Sequence, residues 1–151
     1  MSSAETGTSG VRQRTRHRAR ESAVQMLYQW EVGQQPDLEE VIRTFWAANL
    51  PGSESAPESV RTFAEQLLRS TIANLDKVDP LIVETAEHWR LSRMAALDRI
   101  ILRLAIGEFL DGTTPRNVVI NEALELAKTF SGEESVKFVN GILDAVKKKL
   151  T

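Results

Sequence analysis

The stretch LDRIILRLAIGEFL, residues 97–110, decides the fold. Ile100, Ile101, Leu102, Leu104, Ala105 and Ile106 point in almost every direction around a helix, which leaves it little polar face. A helix of that kind must be surrounded by other helices or by lipid. Extended back to Met94, the stretch also carries Asp98, Arg99, Arg103 and Glu108, and those charges make a bilayer crossing too costly. It therefore reads as the buried central helix of an all-α protein, running from Arg93 to Leu110 with Ser92 as its cap.

Helical signals continue on both sides. Downstream, Asp111-Gly112 and Thr114-Pro115 mark a turn and a new start, and Val119, Ala123, Leu126, Ala127 and Phe130 line one face of the next helix. Ser131-Gly132-Glu133-Glu134 has the form of a capping box for a last helix, with Val139, Ile142, Leu143 and Val146 inward. Lys147, Lys148 and Lys149 end that helix where its dipole favours cations. Upstream, Asp79-Pro80 reads as an N-cap followed by proline in the first turn, opening a short helix to about Trp89. Before it, Val60, Phe63, Ala64, Leu67, Leu68, Thr71, Ile72 and Leu75 repeat at three- and four-residue steps. Pro51 to Pro57 is a loop, and Asp37 to Asn49 is a helix with Leu38, Val41, Ile42 and Phe45 inward. A first helix starts near Arg16 with Ala19, Ala23, Leu27 and Trp30 on one face, and Gly33 and Pro36 stop it. No segment alternates with period two, so the expectation is seven helices and no sheet.

Composition narrows the class. A chain of 151 residues, 42% of them apolar, can bury a core of its own. No cysteine is present, which excludes disulfide and thiol chemistry. No apolar leader opens the chain, so a cytoplasmic protein without a membrane partner is expected. Met1 to Gly10 is small, polar and rich in glycine and serine. Residues 1–13 are expected as a disordered basic tail, and residues 14–151 as a single domain.

The net charge of −2 conceals an uneven distribution. Residues 6–20 contain Arg12, Arg14, Arg16, His17, Arg18 and Arg20 and no acid. Alternate positions scatter around a helix, but Arg16 and Arg20 share a face, and the pattern places Tyr28 two turns further along that side. A guanidinium pairs with phosphate oxygens, and an exposed ring can stack an unpaired base. Two readings fit: a nucleic-acid-binding arm, or a solvated tail. Tyr28 is likewise either a packing residue or a stacking platform. So is Phe138, which follows Lys137 in the first turns of the last helix and points away from Val139.

Signs of catalysis are missing. His17 and His88 stand alone, without carboxylates at metal-ligand spacing. No nucleophile elbow, phosphate loop or dinucleotide fingerprint occurs. Glu108, Glu122 and Glu125 read as buried or interface carboxylates. The three-residue step from Glu122 to Glu125 suits a bridging pair, but no histidine accompanies it. Asn121 and Asn140 read as structural, bonding backbone where helices pack. No catalytic residue, metal or cofactor is expected.

Four segments, in this order and spacing, resemble the NusB family: RHRARESAVQMLYQWE (16–31), LDRIILRLAIGEFL (97–110), VVINEALELAKTF (118–130) and SVKFVNGILD (135–144). The likeness covers about residues 14–150, with Asn49 to Ser59 a variable loop. It implies a compact seven-helix fold of two packed bundles, three helices and then four. It also implies an antitermination factor that binds boxA-type single-stranded RNA of ribosomal-RNA leaders together with NusE, a ribosomal small-subunit protein. That complex joins RNA polymerase and suppresses premature termination. The resemblance places RNA contacts at Arg16, Arg18, Arg20, Gln25, Tyr28, Glu134, Lys137 and Phe138. It places a NusE contact at a solvent-facing Asp98. His17 stands where relatives carry arginine. Two other readings remain: a helical homodimer whose interface covers the arm, and a detached RNA-binding domain of a ribosomal-RNA methyltransferase, whose catalytic domain 151 residues leave no room for.

Overall fold

A computed structural model describes residues 3–34, 36–48, 56–86 and 90–150, with side chains from residue 10 onward. The order is α1 (Ser3–Val32), α2 (Leu38–Ala48), α3 (Glu58–Ala73), α4 (Leu75–Thr85), a 3-10 turn (Leu91–Arg93), α5 (Ala96–Asp111), α6 (Arg116–Phe130) and α7 (Glu133–Lys149). Seven α-helices and no strand occur among the described residues. His88, Trp89, Asn49 and the loop residues 51–55 lie outside them.

The chain divides into two compact units, Met1–Gln66 and Leu67–Thr151. The division falls inside α3, not after it, so the expected partition into three helices and four is not confirmed. In the first unit α1 packs on α2. Its core holds Ala19, Ala23, Leu27 and Trp30 from α1, Val41, Ile42, Phe45 and Trp46 from α2, and Val60 and Ala64 from α3. Trp46 stands edge-on to Phe45 and donates its indole N–H to Glu65 Oε2 at 3.2 Å.

In the second unit α5 contacts α4, α6 and α7, and ten of its sixteen residues are buried. This is the central helix its composition calls for. Gly112 ends it in the left-handed conformation at φ 78°, returning its N–H to the Glu108 carbonyl at 3.1 Å. Gly107 lets α3 come close, since a Cβ there would stand 2.7 Å from the hydroxyl of the fully buried Thr71.

Several boundaries differ from expectation, each for a local reason. α1 continues upstream of Arg16 to Ser3. Once packing has nucleated a helix, adding good helix formers such as Arg12, Gln13 and Arg14 is cheap. Asp79 is not a cap, because α4 already starts at Leu75 and encloses Pro80. The Asp79 carboxylate instead accepts two hydrogen bonds from Arg103, from Nε and Nη2, each at 2.9 Å. Only Asn74 separates α3 from α4; its N–H is shared between the Ser70 and Thr71 carbonyls, and its side-chain amide donates to Ser70 O at 2.8 Å. Ser92 sits in the 3-10 turn, and Ala95 precedes α5. Gly132, not Ser131, is the N-cap of α7, without a side-chain cap bond. Leu38, Phe63, Ile72, Leu75 and Phe130 are half-buried, whereas Asn121 and Asn140 are exposed and occupy no packing point.

Candidate nucleic-acid interface

α1 turns its apolar side to the first unit's core and a polar side to solvent. At about 100° per residue, Arg14, Arg18, Gln25 and Tyr28 fall within a sector of about 80° opposite that core. All four are exposed, Tyr28 to 41%. Arg16 and Arg20 share a face, as their spacing predicts, but it is the other side of the helix. The Arg16 guanidinium carbon lies 4.0 Å from the centroid of the Phe63 ring and that of Arg20 5.2 Å from it. Arg20 is only 4% exposed. Tyr28 stands about 120° around the helix from Arg16, so it belongs with Arg18 and Gln25 and not with the Arg16–Arg20 pair. His17 is half-buried, with Nε2 3.7 Å from Glu21 Oε1.

The second unit carries the remaining residues. At the start of α7, Glu134 and Lys137 are exposed and Phe138 is half-buried. Glu134, Ser135 and Phe138 line a cavity of about 390 Å³ with Arg93, Met94, Ala95 and Asp98. Asp98 does not face solvent as expected: it is 8% exposed, and its Oδ1 is buried without a hydrogen-bond partner. Its place in the first turn of α5, at the positive end of the helix dipole, compensates part of that buried charge. A carboxylate on an apolar helix suggests a solvent-facing stripe, yet here it points into the wall of a cavity.

The structure thus assembles Arg18, Gln25 and Tyr28 into one exposed row, and Asp98, Glu134 and Phe138 around one cavity beside Lys137. Arg16 and Arg20 stay outside the row. Two residues that bear on the site were missed. Arg14 could have been found, because eleven residues separate it from Gln25 and that is about three helical turns. Phe63 carries no local signal, since it meets the arginines only through tertiary packing.

Other charged groups have structural partners. Lys147 donates to Asn117 Oδ1 at 2.7 Å, Lys148 lies 3.2 Å from Asp144 and Lys149 3.6 Å from Glu84. Glu108 is buried, Glu122 half-buried and Glu125 exposed. Among the described residues no three histidine, cysteine or acidic side chains are grouped so as to hold a metal ion.

Comparison with known proteins gives a consistent result. A profile of the NusB family matches residues 17–148. The transcription antitermination protein NusB of Solibacter usitatus (strain Ellin6076) is 47% identical over 136 residues, covering 90% of both chains. The T. maritima NusB structure superposes with a TM-score of 0.78 at 35% identity, over 89% of this chain and 91% of its own. A crystal structure of the antitermination factors NusB and NusE in complex with double-stranded RNA superposes with a TM-score of 0.75 at 25% identity, over 90% of this chain and 98% of that one.

Proposed function

Because this chain belongs to the NusB family, we propose that it is a transcription antitermination factor, an RNA-binding adaptor and not an enzyme. In this role it binds boxA-type single-stranded RNA of ribosomal-RNA leaders together with NusE, within the cytoplasmic RNA polymerase antitermination complex. The observation that carries the reading is the 47% identity, across 90% of the chain, to a transcription antitermination protein NusB. No helix among the described residues is long and apolar enough to cross a membrane.

The chemistry of the surface supports the same role. Arg18 offers a guanidinium fork to phosphate, Gln25 a donor and acceptor to a base edge, and Tyr28 a ring on which a base can stack. At α7, Lys137 supplies a second cation and Phe138 a second ring, while Glu134 can accept from a base amino group. The carboxylate of Asp98 awaits a donor, and a basic side chain of NusE would supply one.

Titrating a labelled boxA-type RNA and a scrambled RNA with the purified chain, with and without NusE, tests the proposal. The boxA-type strand should bind more tightly than the scrambled one, and NusE should strengthen that binding. Equal affinity for both strands with no response to NusE would sink it.

A further inference from the structure

On the RNA-binding reading, we propose a division of labour within the basic arm. Arg14 joins Arg18 at the cationic end of the row, where the two contact the RNA backbone, while Arg16 and Arg20 are positioning residues that grip Phe63. Five arginines at every second position look equivalent in the sequence. On a helix they are not, because two residues turn the chain by about 200°, so neighbouring arginines alternate between opposite sides.

The two sides have different environments. Arg16 and Arg20 lie over the face of Phe63, at 4.0 and 5.2 Å from the ring centroid, and Arg20 is 4% exposed. A guanidinium held against an aromatic face is attracted by the ring's negative quadrupole. A phosphate recruiting Arg20 would have to reach a side chain that is almost wholly covered. What the pair does instead is tie α1 to α3 within the first unit, which fixes the direction in which the other side of α1 faces.

That other side is open. Arg14 and Arg18 are one turn apart and exposed, and Gln25 and Tyr28 continue the row. From Arg14 to Tyr28 the row runs about 21 Å along the helix axis. Arg14 also leans back along α1: its Nη1 lies 3.4 Å from where a Cβ at Gly10 would stand. The glycine leaves that space clear, and the positive end of the row extends one turn further. A polyanionic single strand laid along this side would meet the cations first and the aromatic ring at the far end.

Glutamine substitutions in the full chain separate the roles. Affinity for boxA-type RNA is measured across a salt series, and urea unfolding is measured beside it. Arg14→Gln and Arg18→Gln should each flatten the log-affinity against log-salt slope by about 0.7 and leave the urea midpoint unchanged. Arg16→Gln and Arg20→Gln should keep the slope, lower the urea midpoint and weaken binding. Phe63→Leu, which removes no charge, should reproduce the Arg16→Gln loss of RNA affinity at unchanged slope, and the two together should lose no more than either alone. An unchanged slope in Arg14→Gln overturns the proposal, as does a slope flattened by Arg16→Gln or Arg20→Gln. If the unsubstituted chain binds no RNA even with NusE, the functional reading fails and this inference fails with it; that outcome differs from binding that merely ignores Arg14.

Discussion

Tyr28 and Phe138 are both aromatic residues on helices, yet their surroundings predict different costs of truncation. Tyr28 stands in the exposed row of α1, so Tyr28→Ala opens no cavity and should leave the melting temperature nearly unchanged. If the ring stacks a base, the same substitution should weaken RNA binding by about 1–3 kcal/mol. Phe138 is half-buried and lines the cavity beside Met94 and Asp98. Phe138→Ala should therefore lose both quantities, with a stability loss below the roughly 3–5 kcal/mol of a fully buried phenylalanine. Melts run beside RNA titrations on both variants check this. A Tyr28→Ala protein that binds RNA normally would remove the stacking role. The exposure of single residues was the least legible property of the sequence. The spacing of Arg16 and Arg20 puts them on one face, but what that face meets depends on Phe63, far along the chain. Asp98 looked solvent-facing for the same reason: its surroundings come from the start of α7.

Helix interiors are legible throughout, whereas helix ends are legible only in part. Gly33 and Gly112 stop α1 and α5 and Pro115 precedes α6 as expected, while other ends depart. Ala19, Ala23, Leu27 and Trp30, or Val139, Ile142, Leu143 and Val146, repeat along one face because burying that face stabilises the helix. Ends depend on a few hydrogen bonds for which several groups compete. Asp79 before Pro80 has the form of a cap, but its carboxylate is taken by Arg103, and α4 begins a turn earlier. Ser131 resembles the opening of a capping box, yet its N–H closes α6 on the Ala127 carbonyl. The role of Asp79 can be tested at this scale. Serine caps a helix about as well as aspartate, but it cannot form a two-point pair with a guanidinium. If the pair is what matters, Asp79→Ser and Asp79→Ala should lose similar stability. The pair is partly exposed, with side chains 26% and 11% accessible, so a loss of about 1–3 kcal/mol is expected. Urea unfolding gives the comparison, and a serine variant as stable as the parent would restore the capping role.

For the whole molecule, the proposed RNA contacts draw on both units, the row on α1 and Glu134, Lys137 and Phe138 on α7. The proposed partner contact, Asp98 on α5, shares a cavity with Glu134 and Phe138. Asp98 presents a buried oxygen without a partner, an arrangement that costs stability in the free protein. If Asp98 is the proposed NusE contact, a donor from a basic side chain of NusE would relieve that cost. Asp98→Asn keeps the shape and removes the charge. It should weaken NusE binding while the chain's own RNA affinity, measured without NusE, stays as before. Its folding stability should change little, because the loss of a buried charge is offset by the loss of that charge's interaction with the start of α5. Linkage adds a quantitative check that needs no further structural detail. If NusE raises RNA affinity by some factor, RNA must raise NusE affinity by the same factor. Four titrations give both ratios: RNA with and without saturating NusE, and NusE with and without saturating RNA. The ratios should agree for the parent chain. In Asp98→Asn they should still agree, with each NusE affinity lowered. A variant that binds NusE as tightly as the parent would remove Asp98 from the interface, and one that loses RNA affinity in the absence of NusE would place it in the RNA site instead.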